Sequence, residues 1–257
     1  MNWLHSFYCL GAMFTVLGAA FATRIHIDWR TTSLLLTSIP IAIVIAFFRV
    51  KLPPLTPGAG MNQPVGKVLA NPQFLAALGA IFLGGATELG LAQWLPAYAE
   101  SGLGFSKWTG SMALFGFSGA MTAGRLVAGF YDRRWGSVPL LLRCCGVSVI
   151  LFVIASFAPP HLALAASIAV GFTASCLWPT MLGVAADWFP EGGVVMFGML
   201  AVLGNLGGVF MPWLVGVMAD VSSIRIGLST ATLCPLLMIW LLWWMRRHRR
   251  QSGVCVS

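Results

Sequence analysis

Charge is what this chain lacks most. Only 9% of its 257 residues are Asp, Glu, Lys or Arg, and the acids number just 7. A soluble domain carries about 25% charged and about 45–50% apolar residues; here 58% are hydrophobic. That excludes a soluble domain and points to a polytopic membrane protein, whose unit is an apolar span of about 20 residues. Ligand-spaced cysteines are missing too. Cys9, Cys144, Cys145, Cys176 and Cys234 fall inside apolar stretches and Cys255 in the tail, with no CxxC and no Cys/His spacing. Neither a disulfide framework nor a metal site is expected, and no phosphate loop or other motif calls for a cofactor. The net charge of +8 invites a nucleic-acid reading, but the basic residues sit singly or in short runs between apolar spans. The expected partner is the lipid bilayer, not nucleic acid.

What is present is eight apolar segments, near residues 3–23, 31–48, 73–99, 108–131, 138–157, 161–186, 194–219 and 226–245. Each is long enough to cross about 30 Å of hydrocarbon as a helix. Alternating spans sort the loops onto two sides. One side receives eleven Lys/Arg; the other receives only Arg24, Arg30, Lys107 and Arg225. The positive-inside rule then puts both termini in the cytoplasm of a plasma (inner) membrane protein. Residues 49–72, rich in Pro and Gly, form the one long loop and separate two spans from six. Ala20-Phe21-Ala22 offers a small-residue cleavage site. A signal peptide is nevertheless disfavoured, because no Lys or Arg precedes an overlong apolar stretch.

Within "GGATELGLAQWLPAY" (residues 84–98), Glu88 is an acid past the middle of an apolar span. A carboxylate near mid-bilayer costs about 3 kcal/mol on insertion scales and should face the bundle interior or a wet cavity. There it could relay a proton or grip a polar solute; a neutral, hydrogen-bonded structural Glu is the competing reading. Trp94 lies six residues on, about 120° around an ideal helix from Glu88, so both line one cavity only if the cavity is wide or the helix kinks near Pro96. Gln93 adds a polar group, and Tyr98 reads as an interface anchor. Asn205 among Gly204, Gly207 and Gly208, and Trp178 before Pro179, are further cavity candidates, with interhelical bonding and core packing as alternatives. His5, near the start of the first span, is a second proton-coupling candidate. Pro40, Pro96, Pro179, Pro212 and Pro235 each remove a backbone donor inside an apolar segment and can kink it.

An enzyme reading rests on Ser118 in "GFSGA", like the Gly-x-Ser-Gly element of rhomboid intramembrane proteases. Its downstream partner would be His161, and a nucleophile needs its base within hydrogen-bond reach. Ser118 is mid-span and His161 follows Pro159-Pro160 at a loop edge, so no enzyme is expected.

Several stretches resemble the major facilitator superfamily, membrane transporters usually built from twelve spans in two six-helix halves. "GRLVAGFYDRRWG" (residues 124–136) resembles the superfamily's Gly-x-x-x-Asp-Arg/Lys-x-Gly loop motif through Gly129, Asp132, Arg133 and Gly136, one residue shorter at its start. "LWPTMLGVAADWFP" resembles its tenth helix and "GNLGGVFMPWLVGVMAD" its eleventh. "LHSFYCLGA" and "ATELGLAQWLPAY" are similar to the fifth and seventh helices of the fucose/glucose permease-like branch, with His5, Glu88 and Trp94 at matching positions. The chain departs from that branch where Thr15-Val16-Leu17-Gly18 replaces a Gly-Pro.

The resemblance implies an all-α membrane bundle of about eight transmembrane helices, a partial twelve-helix fold lacking the first four. Residues 1–48 would be the last two helices of the N-terminal half and 49–72 the central cytoplasmic loop. Residues 73–246 would form the six-helix C-terminal half, and 247–257 a basic tail. It implies alternating-access transport of a small-molecule solute such as a sugar, proton-coupled through Glu88 or His5. Glu88, Gln93, Trp94, Trp178 and Asn205 would bind the solute, and Arg125, Asp132 and Arg133 would form a cytoplasmic gate. Efflux of organic anions or drug-like compounds, and a truncated non-transporting protein, stay open as alternatives. So does a partner chain supplying the missing four helices.

Overall fold

A computed structural model describes residues 2–50 and 65–251, apart from the side chains of Arg133, Glu191, Arg250 and Gln251. Within that range every regular element is helical. The long helices are α1 (Asn2–Arg24), α2 (Trp29–Phe47), α4 (Pro72–Ala92), α6 (Lys107–Trp135), α7 (Ser137–Phe157) and α10 (Gly193–Val221), with a short α3 (Val65–Leu69) leading into α4. The remaining spans are broken. The helix α4 runs on, after a turn, into α5 (Leu95–Ala97) and a π-helical turn over Tyr98–Gly102; α8 (Pro160–Ala174) is followed by α9 (Leu177–Trp188), and α11 (Ile224–Thr230) by α12 (Leu233–Gln251). Among the described residues, eight helices or helix pairs are long and apolar enough to cross a membrane, at the eight segments read from sequence. Most of the expected central loop, residues 51–64, and the end of the tail, residues 252–257, lie outside the described residues.

Local chemistry sets these boundaries. Asp28, Asn71, Ser106 and Ser223 each cap a helix by accepting an N–H from the first turn with a side-chain oxygen, which satisfies donors that have no intrahelical partner. Each of the three breaks is followed within a turn by a proline: Pro96, Pro179 and Pro235. Proline suits the first turn of a new helix and cannot donate to the old one. Pro40 and Pro212, by contrast, sit inside continuous helices.

Contacts at the two ends fix the packing. Where α1 begins, the Asn2 amide donates to Thr180 Oγ1 at 3.0 Å and Trp3 meets Phe130 edge-on at 5.2 Å. At the opposite end Phe21 meets Trp108 at 5.8 Å, and Arg225 donates to the Gly102 and Ala158 carbonyls at 3.2 Å each. Helix α4 is the centre of the bundle: 72% of its span is buried, against none of α2. Its closest neighbour is α10. A Cβ on Gly207 would lie 1.9 Å from the Phe82 carbonyl oxygen, and one on Gly85 would lie 2.1 Å from the Gly204 carbonyl oxygen. Only glycine permits backbones this close, the small-residue contact typical of membrane helices. The α1 helix packs chiefly along α6, and α2 touches little beyond α1.

Tyr98 departs from the sequence expectation. It is fully buried, and its hydroxyl donates to the Ala155 carbonyl. The turn after α4 swings residue 98 inward, so it packs in the core and does not anchor an interface.

Candidate functional site

Glu88 lies on the face of α4 that looks toward α6, and Arg125 on α6 meets it. Arg125 Nη2 is 3.1 and 3.2 Å from the two Glu88 carboxylate oxygens. Both side chains are buried, at 3% exposure for Arg125 and 9% for Glu88. Two main-chain carbonyls complete the guanidinium's surroundings: Nε donates to Ser175 at 2.9 Å and Nη1 to His5 at 2.7 Å. One arginine thus ties together α1, α4, α6 and the break between α8 and α9. A buried charge pair is tolerated only when its remaining donors and acceptors are satisfied, and the two carbonyls do that on the arginine side.

The pair forms the floor of a cavity of about 230 Å³ whose walls include His5, Tyr8, Trp178 and Asn205. The His5 ring stands edge-on to Trp178 at 5.1 Å, and the Tyr8 ring lies 5.8 Å from the Arg125 guanidinium carbon. A second cavity, of about 190 Å³, adjoins it through Tyr8, Glu88 and Leu89 and reaches Gln93 and Ser118. Apolar and aromatic walls around a few convergent polar groups are the usual make-up of a small-molecule site.

The structure therefore brings Glu88, Trp178, Asn205 and His5 to one cavity and places Gln93 in the adjoining one. Asn205 also donates to the Ala201 carbonyl of its own helix at 2.8 Å. Trp94 lies apart: its indole N–H donates to the Pro212 carbonyl at 2.8 Å, and its ring packs on Gly216. The turn at residues 93–94 rotates it toward α10, away from Glu88. Arg125, grouped with Asp132 and Arg133 in the sequence reading, is seven residues from Asp132, about 10 Å along the helix, and its guanidinium points to Glu88. Asp132 Oδ1 is buried without a hydrogen-bond partner among the described residues; the Arg133 side chain lies outside them. No hydrogen bond joins Ser118 to His161 among the described residues. Ser118 donates to the Leu114 carbonyl of its own turn, and His161 meets Phe105, just before α6, edge-on.

Sequence reasoning misses three features of the site. Tyr8 is an unremarkable aromatic in an apolar run. The Ser175 carbonyl is main chain, whose exposure only Pro179, four residues on, foreshadows. Arg125 counts among the loop cations by its place in the chain, although "TAGRLVAGF" sets it seven residues before the nearest other charge on that side, a signal equal to that of Glu88. Removing it from that side leaves ten basic residues against four, so the asymmetry survives.

Residues 1–161 and 126–255 match the family model of the Major Facilitator Superfamily. No match was found among the curated proteins. Among solved structures, the chain is similar to a crystal structure of a Major Facilitator Superfamily transporter, FucP, in the outward conformation. The TM-score is 0.67 at 17% identity, covering 84% of this chain and 54% of that one. A crystal structure of a single-residue alanine variant of the E. coli fucose:proton symporter, FucP, gives a TM-score of 0.67 at 16% identity, covering 84% and 55%. The chain spans about half the length of the solved structures it matches, and at this identity the likeness is one of fold.

Proposed function

The chain belongs to the Major Facilitator Superfamily, and from that premise we propose that it takes part in moving a small, neutral, hydroxyl-rich solute across the membrane by alternating access. The observation that carries the reading is the buried Glu88–Arg125 pair on the cavity floor. Hydrogen-bond accounting supports a neutral solute. Glu88, with about four lone-pair directions, receives only the Arg125 Nη2 group among the described residues. The guanidinium has five N–H groups, and its three partners take Nε, one side of Nη1 and Nη2. The pair as a whole is uncharged and still offers both acceptors and donors, which a diol matches. A fixed anion would bring a net negative charge beside a buried carboxylate whose counter-charge is already taken. Trp178 and Tyr8 supply the apolar faces against which a sugar ring packs.

Proton coupling is part of the proposal. Protonation of Glu88 breaks the charge balance with Arg125 and so changes what ties α4 to α6. His5 stands beside the pair, with its backbone on Arg125 and its ring on Trp178. Asp132 with Arg133 is the proposed latch at the end of α6. On the N-terminal side the cavity is walled here by α1 alone, through His5 and Tyr8, and the proposal takes that wall to be completed by further helices of a longer chain or of a partner chain.

The test is uptake of a labelled monosaccharide panel into proteoliposomes with and without an inward proton gradient. Gradient-stimulated uptake that Glu88→Gln makes insensitive to the gradient supports the reading. Uptake and pH response unchanged in Glu88→Gln would sink it. Uptake of carboxylated solutes alone would transfer the assignment to organic anions.

A further inference from the structure

Arg125 owes its orientation to a defect in another helix. In an unbroken α-helix the Ser175 carbonyl accepts the N–H of residue 179. Residue 179 is proline and has none. The helix α8 stops at Ala174 and α9 starts at Leu177, with no side-chain cap between them. The bond that crosses the break, Thr180 N–H to the Cys176 carbonyl at 3.0 Å, leaves Ser175 out. Ser175 is fully buried. A buried carbonyl without a partner is costly, and the partner it receives is the Arg125 Nε–H at 2.9 Å.

The neighbouring residue makes the approach possible. A Cβ on Gly124 would lie 2.3 Å from the Phe172 carbonyl oxygen and 2.4 Å from Ser175 Oγ, so α6 reaches the break only with glycine at 124. The same arrangement recurs elsewhere in the fold. Pro159 removes the N–H that would serve the Ala155 carbonyl, and the Tyr98 hydroxyl donates there instead. Side-chain donors thus answer proline-freed carbonyls at two places, and at one of them the donor belongs to the cavity.

We infer that Pro179 is a positioning residue for the solute cavity: by withholding its N–H it presents the Ser175 carbonyl to Arg125 Nε, and so directs Nη2 toward Glu88 and the solute. The inference rests on the proposed solute site for its functional consequence and on the geometry alone for the positioning. Pro179→Ala restores the missing donor. Residue 179 then competes for the Ser175 carbonyl, the break heals toward a continuous helix, and Arg125 loses its Nε anchor while keeping its charge.

Two readouts separate the positioning from the transport reading. Hydrogen exchange at arginine Nε–H, followed in 15N-arginine-labelled protein in micelles and assigned through Arg125→Lys, needs no solute. The Arg125 Nε–H should exchange at least about tenfold more slowly than surface arginines, and Pro179→Ala should erase most of that difference. Gly124→Ala should do the same by pushing α6 off the break. A wild-type Arg125 Nε–H that exchanges like the surface arginines, or protection unchanged in folded Pro179→Ala, overturns the inference. The second readout is uptake of whichever monosaccharide the panel shows the wild type to carry. Pro179→Ala should raise KM several-fold, with Vmax per folded protein changing less. A purely structural proline would lower the folded fraction and leave KM alone. If no monosaccharide is taken up by the wild type, the solute reading fails, while the exchange experiment still decides the positioning.

Discussion

Arg125 Nη2 and Glu88 Oε2 lie 3.1 Å apart between α6 and α4, and two main-chain carbonyls hold the guanidinium from behind. The carboxylate that is costly in a membrane is matched by a cation that the charge count groups with the loop residues, although the apolar span 108–131 contains it.

Removing one partner should cost far more than removing both. Arg125→Gln leaves a buried carboxylate without its counter-charge, for which about 3–5 kcal/mol is typical. The double substitution Glu88→Gln with Arg125→Gln should recover a large part of that loss. Unfolding of the four proteins in mixed micelles gives the coupling energy, and strictly additive losses would show that the pair does not act as a unit.

The α4–α10 seam should resist any side chain larger than hydrogen. Gly207→Ala sets a Cβ against the Phe82 carbonyl oxygen of α4 at 1.9 Å, and on the side of α10 that meets α9 Gly204→Ala sets one against the Trp178 indole nitrogen at 2.0 Å. Both should lower the melting temperature, and Gly204→Ala should also displace Trp178 and change its fluorescence. Gly198→Ala, with nothing within 4 Å, is the control and should be neutral or slightly stabilising, as Ala is the better helix former.

Tyr98→Phe deletes one hydroxyl in a fully buried place. The Ala155 carbonyl then has neither a helical donor nor a side-chain one, at a cost of about 1–3 kcal/mol. Thermal unfolding measures it. A loss below about 0.5 kcal/mol would mean that water reaches the carbonyl.

Lys107 and Glu100 also form an ion pair, but at 4.0 Å and largely exposed. Exposed pairs contribute little. Lys107→Ala should leave stability within about 0.5 kcal/mol; a larger loss would show a role for Lys107 that this contact does not account for.

The architecture was legible without coordinates because it follows from solvent. A chain with 9% charge cannot expose backbone polar groups to lipid, so each long apolar segment must be a helix, and the eight segments became the eight candidate spans. The breaks were legible in part. Proline marks where a donor is missing, but Pro96, Pro179 and Pro235 break their helices while Pro40 and Pro212 do not, a difference that neighbouring helices decide.

The amino-acid order by itself determined that Glu88 must face the protein interior, because lipid offers a carboxylate nothing. It also determined the helices, through the length and polarity of each segment. Tertiary structure alone decided which group Glu88 meets, why Trp94 is turned away from it, and which carbonyls hold Arg125. Those facts depend on the angle at each helix break and on how closely glycine lets neighbouring backbones approach, and both are set by contacts between residues far apart in the chain.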